Sequence, residues 1–464
     1  MRNKRIFNFT LSLLFILTFL AYLKLSHAQE SFSSVSKENI VPVAFVALVA
    51  SPSEDKEKAF QYISENWEPT FPIMVIEAIY LSNDPPLAAK LIKLLEQKTG
   101  KDYGYQLDRW YDWIWNNDEM VHSQYPEFKS LLYGLIDPKF AGYFSSGKTS
   151  NIRLDEVRWG GVRQDGIPPL RNPKMINAKQ AKYLDDDNIV FGIEVNGDAR
   201  AYPKRIMAWH EMFVDNVGDT PVAGVYCTLC GSMILYNTEH EGVNHKIGTS
   251  GFLYRSNKLM YDKDTQSLWN TLWGKPVIGE LADKDIELER MSVVTTTWGE
   301  WKKRHPETKV LSLDTGHKRD YAEGAAYREY FATDELMFNV PKLDKRLKNK
   351  DEVLGLVFSQ HADKPVAIRV DYLLKNPVFH KQIGEIDFVV LTDKSGAARV
   401  YEAKGLKFKN WDQESSVTDV NGKKWVLTES KLTSPDGTQL FRLPAHRAFW
   451  FGWYGAYSNT ELIL

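Results

Sequence analysis

Cysteine is scarce in this chain: there are two among 464 residues, Cys227 and Cys230. Two cysteines cannot staple a disulfide-rich fold, and neither stands at an export cleavage point, where lipidation would need one. An excess of one charge is also missing, since 58 Lys and Arg face 60 Asp and Glu. The chain therefore has no basic surplus with which to track a phosphate backbone. After residue 28 no uninterrupted apolar run reaches the ~18–20 residues that cross a bilayer. A Gly-rich phosphate cradle, a Gly-x-Ser-x-Gly elbow and a His-Glu-x-x-His pair are absent too. These absences argue against a nucleic-acid binder and a polytopic membrane protein. Disorder is excluded by composition, with 43% hydrophobic and 13% aromatic residues.

The first feature present is an export signal. Residues 1–28 open with Arg2, Lys4 and Arg5, run apolar from Ile6 to Leu23 and close on Ser26-His27-Ala28. That order fits cleavage before Gln29 and an extracytoplasmic protein, periplasmic or secreted, with no membrane span afterwards. An uncleaved anchor is the alternative, weakened by Asn8, Thr10, Ser12 and Thr18.

Beyond the signal, residues 40–148 carry apolar residues at helical spacing, such as Ile73, Ile76 and Ile79, then Leu87, Leu91 and Leu94, then Trp110, Trp113 and Ile114. Pro85-Pro86 and Gly100 punctuate them. The region is expected to be a small helical array, HEAT-like in shape. Its stripe of Trp110, Trp113 and Trp115 is read as packing surface, and the array is a possible docking region for a protein partner. From about residue 150 the period shortens to two. Val190–Val195 followed by Asn196-Gly197 predicts a strand and a hairpin, and further strands are expected at Val222–Tyr226, Ser232–Tyr236, Phe388–Leu391 and Ala398–Tyr401.

The β-rich part repeats itself. Val190-Phe191-Gly192-Ile193 returns as Val353-Leu354-Gly355-Leu356, and Gly218–Val225 lines up with Gly384–Leu391. Trp298-Gly299-Glu300-Trp301 with Thr308 returns as Trp450-Phe451-Gly452-Trp453 with Thr460. The predicted class is therefore α+β: a helical array, then a duplicated β-rich domain with a pseudo-two-fold, its copies spanning 150–340 and 350–464. The basic stretch Lys342–Lys350 between them reads as a solvated linker. In this alignment Cys227 faces Asp393, Cys230 faces Gly396 and His210 faces Asn376. Paired tryptophans survive in both copies and read as scaffold, whereas the Cys/His set is confined to the first.

Cys227-Thr228-Leu229-Cys230-Gly231 sits between two apolar strands. A thioredoxin-type dithiol needs a helix directly after its first cysteine to lower the thiol pKa, and a strand continuation opposes one. A Cys-x-x-Cys-Gly turn between strands resembles a metal knuckle. With a single knuckle, a metal must complete its shell from elsewhere, and His210 is the first candidate ligand. Two thiolates and an imidazole suit a soft transition metal, copper foremost, with zinc or iron as alternatives. Two other readings stay open: a thiol–disulfide oxidoreductase using Cys227 and Cys230, and a non-enzymatic binding or assembly module in which they are simply bridged. His446 is a weaker ligand candidate, and His240 and His245 are expected to be exposed. Asp262 and Asp264 with Thr265 and Ser267 form a polar group able to bind a cation or supply acid and base.

Taken in order, Val190–Gly197, Arg200–Pro203, Trp209-His210-Glu211, Tyr226–Ser232, Ser250-Gly251, Met260-Tyr261-Asp262, Ser267-Leu268-Trp269 and Thr297-Trp298 resemble the family of domain of unknown function 3179, over about residues 150–464. The family's usual Tyr-Cys-Pro-Leu-Cys has Thr228 here in place of proline. No reaction comes with the resemblance. It implies export and a shared site in which Glu211, Ser250, Tyr261, Asp262 and Trp269 line the surroundings of Cys227, so that Tyr261 and Asp262 join the two cysteines as candidate catalytic residues.

Overall fold

The computed structural model describes residues 39–464 apart from 118, 119 and 146; the export signal lies outside them. The architecture is α+β, with helices first and sheets after. Among the described residues no helix is long and apolar enough to cross a membrane.

The array comprises Ile40–Ala50, Ser53–Glu65, Pro72–Leu81, Pro85–Thr99, Leu107–Trp115, Tyr125–Gly134 and Pro138–Phe144. Pro85-Pro86 open a helix rather than merely ending one. Asp84 accepts the Leu87 N–H at 3.1 Å, and prolines in the first turn lack only donors that would go unused. Gly100, in the left-handed region at φ 69°, closes that helix. Trp110 and Trp115 are buried as the stripe predicts. The array shares one apolar core with the sheet beneath it, where Phe252 meets Tyr133, Phe140, Tyr143 and Phe144 edge-on. A buried ion pair pins the joint: Lys129 Nζ reaches Glu77 at 2.7 Å and the Val157 carbonyl at 2.9 Å.

That sheet has five strands, in the order Val157–Trp159, Ile247–Tyr254, Asn257–Asp262, Leu268–Asn270 and Lys275–Ile278. The remaining sheets fall into two sets with the same internal wiring. In the first set, Ile189–Val195 pairs with Val294–Thr297 on one side and Asp198–Pro203 on the other, and Lys309–Leu311 adds in parallel. In the second, Glu352–Leu356 pairs with His446–Phe449 and Val366–Arg369, and Glu461–Ile463 adds in parallel. Asn196 and Gly197, both at positive φ, make the hairpin turn between Ile189–Val195 and Asp198–Pro203 that the sequence predicts.

The matching extends to side chains. Gly192 faces Trp301 and Gly355 faces Trp453 so closely that an added Cβ would lie 2.3 Å and 2.1 Å from the indole carbons. Trp301 Nε1 donates to Thr308 Oγ1 at 2.9 Å, and Trp453 Nε1 to Thr460 Oγ1 at 3.0 Å. The backbone N–H of Trp298 binds Asn188 O, and that of Trp450 binds Asp351 O. Each set also carries a three-stranded meander, Met212–Val217, Thr220–Cys227 and Ser232–Asn237 against Val378–Ile383, Ile386–Thr392 and Ala398–Glu402. Here the register corrects the sequence alignment. Cys227 pairs with Ser232 across four turn residues, whereas Asp393 binds Ala397 across three. The second turn is one residue shorter, so Cys230 corresponds to Ser395 rather than Gly396.

Residues 312–351 join the sets and hold one short helix, Arg328–Phe331. The segment is not wholly a solvated linker, since Leu347 is buried and the Lys350 ammonium lies 3.4 Å from the centre of the Tyr330 ring.

Candidate functional site

Strand Thr220–Cys227 delivers Cys227, and the turn returns through Cys230 to strand Ser232–Asn237. Gly231, at φ 59°, makes the return possible, and the space where a Cβ would sit is filled by the Phe449 ring at 2.9 Å. The second set's strand-to-helix corner closes the far side. Phe449 N–H donates to Cys230 O at 2.7 Å, and a Cβ on Gly452 would meet Cys230 Cβ at 2.9 Å and its Sγ at 3.2 Å. Both thiols are unbridged and buried.

Three contacts fix their chemistry. Asn257 Nδ2 donates to Cys230 Sγ at 3.3 Å. The Cys230 thiol donates to the Ser256 carbonyl at 3.5 Å. Lys258, itself buried, pairs with Glu211 at 2.7 Å beside them. Burial raises the Cys227 thiol, but the neighbouring Cys230 thiol, with the Lys258 backbone N–H and ammonium, outweighs it against the opposing charge of Glu211, and Cys227 falls below its ordinary range. Cys230 moves the other way: burial first, then the neighbouring Cys227, hold it well above that range. The two neighbouring thiols are thus shifted in opposite directions.

Glu211 reaches this site because it ends helix Lys204–His210 in the left-handed conformation, φ 56°. The same helix end points His210 elsewhere. Its Nδ1 meets Pro168 O at 2.8 Å and its Nε2 meets Tyr321 Oη at 2.6 Å. Burial outweighs the Pro168 hydrogen bond and, with His317 and Arg319 nearby, pushes its pKa down to about 4. His210 is therefore a neutral, fully partnered imidazole whose contacts do not include the sulfurs. Among the described residues no group of three or more His, Cys, Asp or Glu side chains is arranged to hold a metal.

The other residues singled out by the sequence gather away from the cysteine contacts. Ser250 Oγ stabilises a bulge by donating to Leu259 O at 2.6 Å and accepting from Phe252 N. Tyr261 Oη donates to Asp165 at 2.6 Å. Asp262 accepts from the backbone of Asp264 and Thr265 and meets His245 Nδ1 at 3.0 Å, with Trp269 edge-on to that imidazole. His245 is thus buried, not exposed as its turn setting suggests. His446 is buried opposite Gly355 and beside Trp453. Of the sequence-derived set, the structure joins Cys227, Cys230 and Glu211. It adds Lys258 and Asn257 from a neighbouring strand, and Tyr327 and Tyr330 from the 312–351 segment. Tyr330 Oη donates to Leu229 O at 2.7 Å and Tyr327 Oη to Glu211 at 3.4 Å.

The family described as protein of unknown function (DUF3179) matches residues 164–460, and the chain belongs to it. No curated protein and no solved structure matches the chain.

Proposed function

We propose that the protein is an extracytoplasmic thiol–disulfide protein in which Cys227 is the reactive thiolate and Cys230 its resolving partner. The observation that carries this reading is the pair itself: two buried thiols on one tight turn, one drawn down by Lys258 and its neighbour, the other held up by burial and by Cys227. The signal-like residues 1–28 support a compartment in which such a couple cycles. The alternative of a soft metal, copper foremost, drew on His210 as third ligand, and the engagement of both its nitrogens with Pro168 and Tyr321 gives the dithiol first place.

Equilibrating the mature chain with mixtures of reduced and oxidised dithiothreitol tests the reading. Mass spectrometry should show both thiols lost and regained together, and Cys227→Ser should abolish the change. Tight binding of added Cu(I) that falls on His210→Ala would instead favour the metal.

We also infer that the two β sets descend from one duplicated unit. Support comes from the paired Gly–Trp–Thr arrangements, the matched ladders and a reciprocal docking. The cysteine turn packs on Phe449 and Gly452, while Asp393 and Ser395 of the other turn meet Arg304 and Thr296.

A further inference from the structure

Buried polar atoms without partners are rare in folded proteins, and a concentration of them marks a place where something polar belongs. Five such atoms belong to residues of the cysteine turn or in contact with it: Tyr226 Oη, Thr228 Oγ1, Ser232 Oγ, Ser256 Oγ and Asn257 Oδ1. All five residues are at least nine-tenths buried. Ser232 stands directly across the ladder from Cys227, so the two side chains share a face. Ser256 offers its carbonyl to Cys230 Sγ, and Asn257 already gives its amide N–H to that sulfur.

Size and charge restrict what can meet these groups. The 312–351 segment seals the sulfurs, through Tyr330 on Leu229 and through Phe331, Val340 and Phe338 in the same apolar cluster. A protein disulfide is too bulky to pass this cover, which leaves small molecules as reactants. A small uncharged molecule that both donates and accepts hydrogen bonds suits hydroxyls, each of which can do either.

Building on the dithiol reading, we propose that the unpartnered hydroxyls beside Cys227 receive a small hydroperoxide, with Thr228 and Ser232 as positioning residues that hydrogen-bond its oxygens. The Cys227 thiolate attacks the outer oxygen. The S–O bond forms, the O–O bond breaks, and the departing alkoxide or hydroxide takes up the proton that Cys227 had released. Cys230 then attacks the sulfenic sulfur, closing the S–S bond and expelling the oxygen, with the Cys230 proton, as water. Two thiols and one ROOH give one disulfide, ROH and water, and a single turnover needs no other reactant.

The test is single-turnover thiol loss, by quenched labelling, on the full mature chain with hydrogen peroxide and with tert-butyl hydroperoxide. The expected rate exceeds that of free cysteine by on the order of 100-fold, the size of one preorganised donor's contribution, with one equivalent consumed per disulfide. Cys230→Ser should stop at a sulfenic acid trapped by dimedone. Thr228→Val or Ser232→Ala should slow the reaction by on the order of 100-fold, and Thr228→Ser should restore it. That rescue separates positioning from a folding defect. A rate no faster than free cysteine, or one unaffected by both hydroxyl deletions, overturns the hydroperoxide proposal and leaves the dithiol reading standing if the dithiothreitol couple is reversible. Loss of that couple as well overturns both.

Discussion

Two turns occupy matching places in the two β sets, and they are finished in opposite ways. Asp393, where the first set has Cys227, has both carboxylate oxygens taken: one accepts from Ser395 and Ala397, the other pairs with Arg399 at 2.9 Å and Arg304 at 3.4 Å. Arg399 in turn pairs with Glu429 at 2.8 Å. Around the cysteines, five buried polar atoms lack hydrogen-bond partners, against two around Asp393, the Thr392 hydroxyl and one guanidinium nitrogen of Arg399. The same ladder is therefore closed as structure in one set and left chemically open in the other. Buried polar groups left open are costly, so the contrast supports the cysteine turn as the proposed site.

The comparison breaks first at Asp393. Asp393→Ala leaves the buried Arg399 short of one partner and should cost about 3–5 kcal/mol in urea unfolding, with no change in the reactivity of Cys227. A shift in thiol chemistry would show that the aspartate turn is more than a strut.

The second difference lies in the strands flanking the central glycines. The first set places Val294 opposite Gly192, and the second places His446 opposite Gly355. Burial, with Arg290 nearby, pushes the His446 pKa down to about 3. The unfolded chain then binds a proton near pH 6.5 that the folded chain refuses, so stability is full above pH 6.5 and falls as pH drops toward 3. The slope reaches about 1.4 kcal/mol per unit, or about 2 kcal/mol by pH 5. His446→Val should remove that share of the slope in chemical denaturation between pH 7 and 5.

A smaller effect is expected at the corner that closes the site. Gly452→Ala forces a methyl against Cys230 and should cost about 1–3 kcal/mol, together with an altered thiol titration. Gly299, which precedes Trp301 in the first set, faces Asp186 instead, and Gly299→Ala should leave the thiols alone. Smallest of all, Cys230→Ala removes the neighbouring thiol that draws the Cys227 pKa down. The Cys227 alkylation profile should then move to higher pH while the fold is kept.

Much of the frame was legible in the sequence because both glycine–tryptophan pairs depend on residue types that tolerate no exchange. A strand passes under an indole only where there is no Cβ, so Gly192 with Trp301 and Gly355 with Trp453 recur in the same order, although the glycines are displaced by 163 positions and the tryptophans by 152. The one-residue difference between the turns was not legible, since Lys394-Ser395-Gly396 aligns with either end of Thr228–Gly231 until the ladder fixes the register. At the site, Cys227, Cys230 and Glu211 were readable from their motifs. His210 is a candidate in the sequence because it is absent from the second copy together with the cysteines, but the structure engages its two ring nitrogens with Pro168 and Tyr321. Lys258, Asn257, Tyr327 and Tyr330 carried no signal. They arrive from a strand that reads as ordinary β sequence and from a connection with no period at all, and only tertiary packing brings them to the cysteines.

The most direct test of the account is the redox state of the pair. Mature protein equilibrated across a dithiothreitol redox series should show Cys227 and Cys230 passing together between two thiols and one intramolecular disulfide, with a single reversible midpoint. Two thiols that stay free under oxidising conditions, or a bridge that no dithiol reduces, would contradict it.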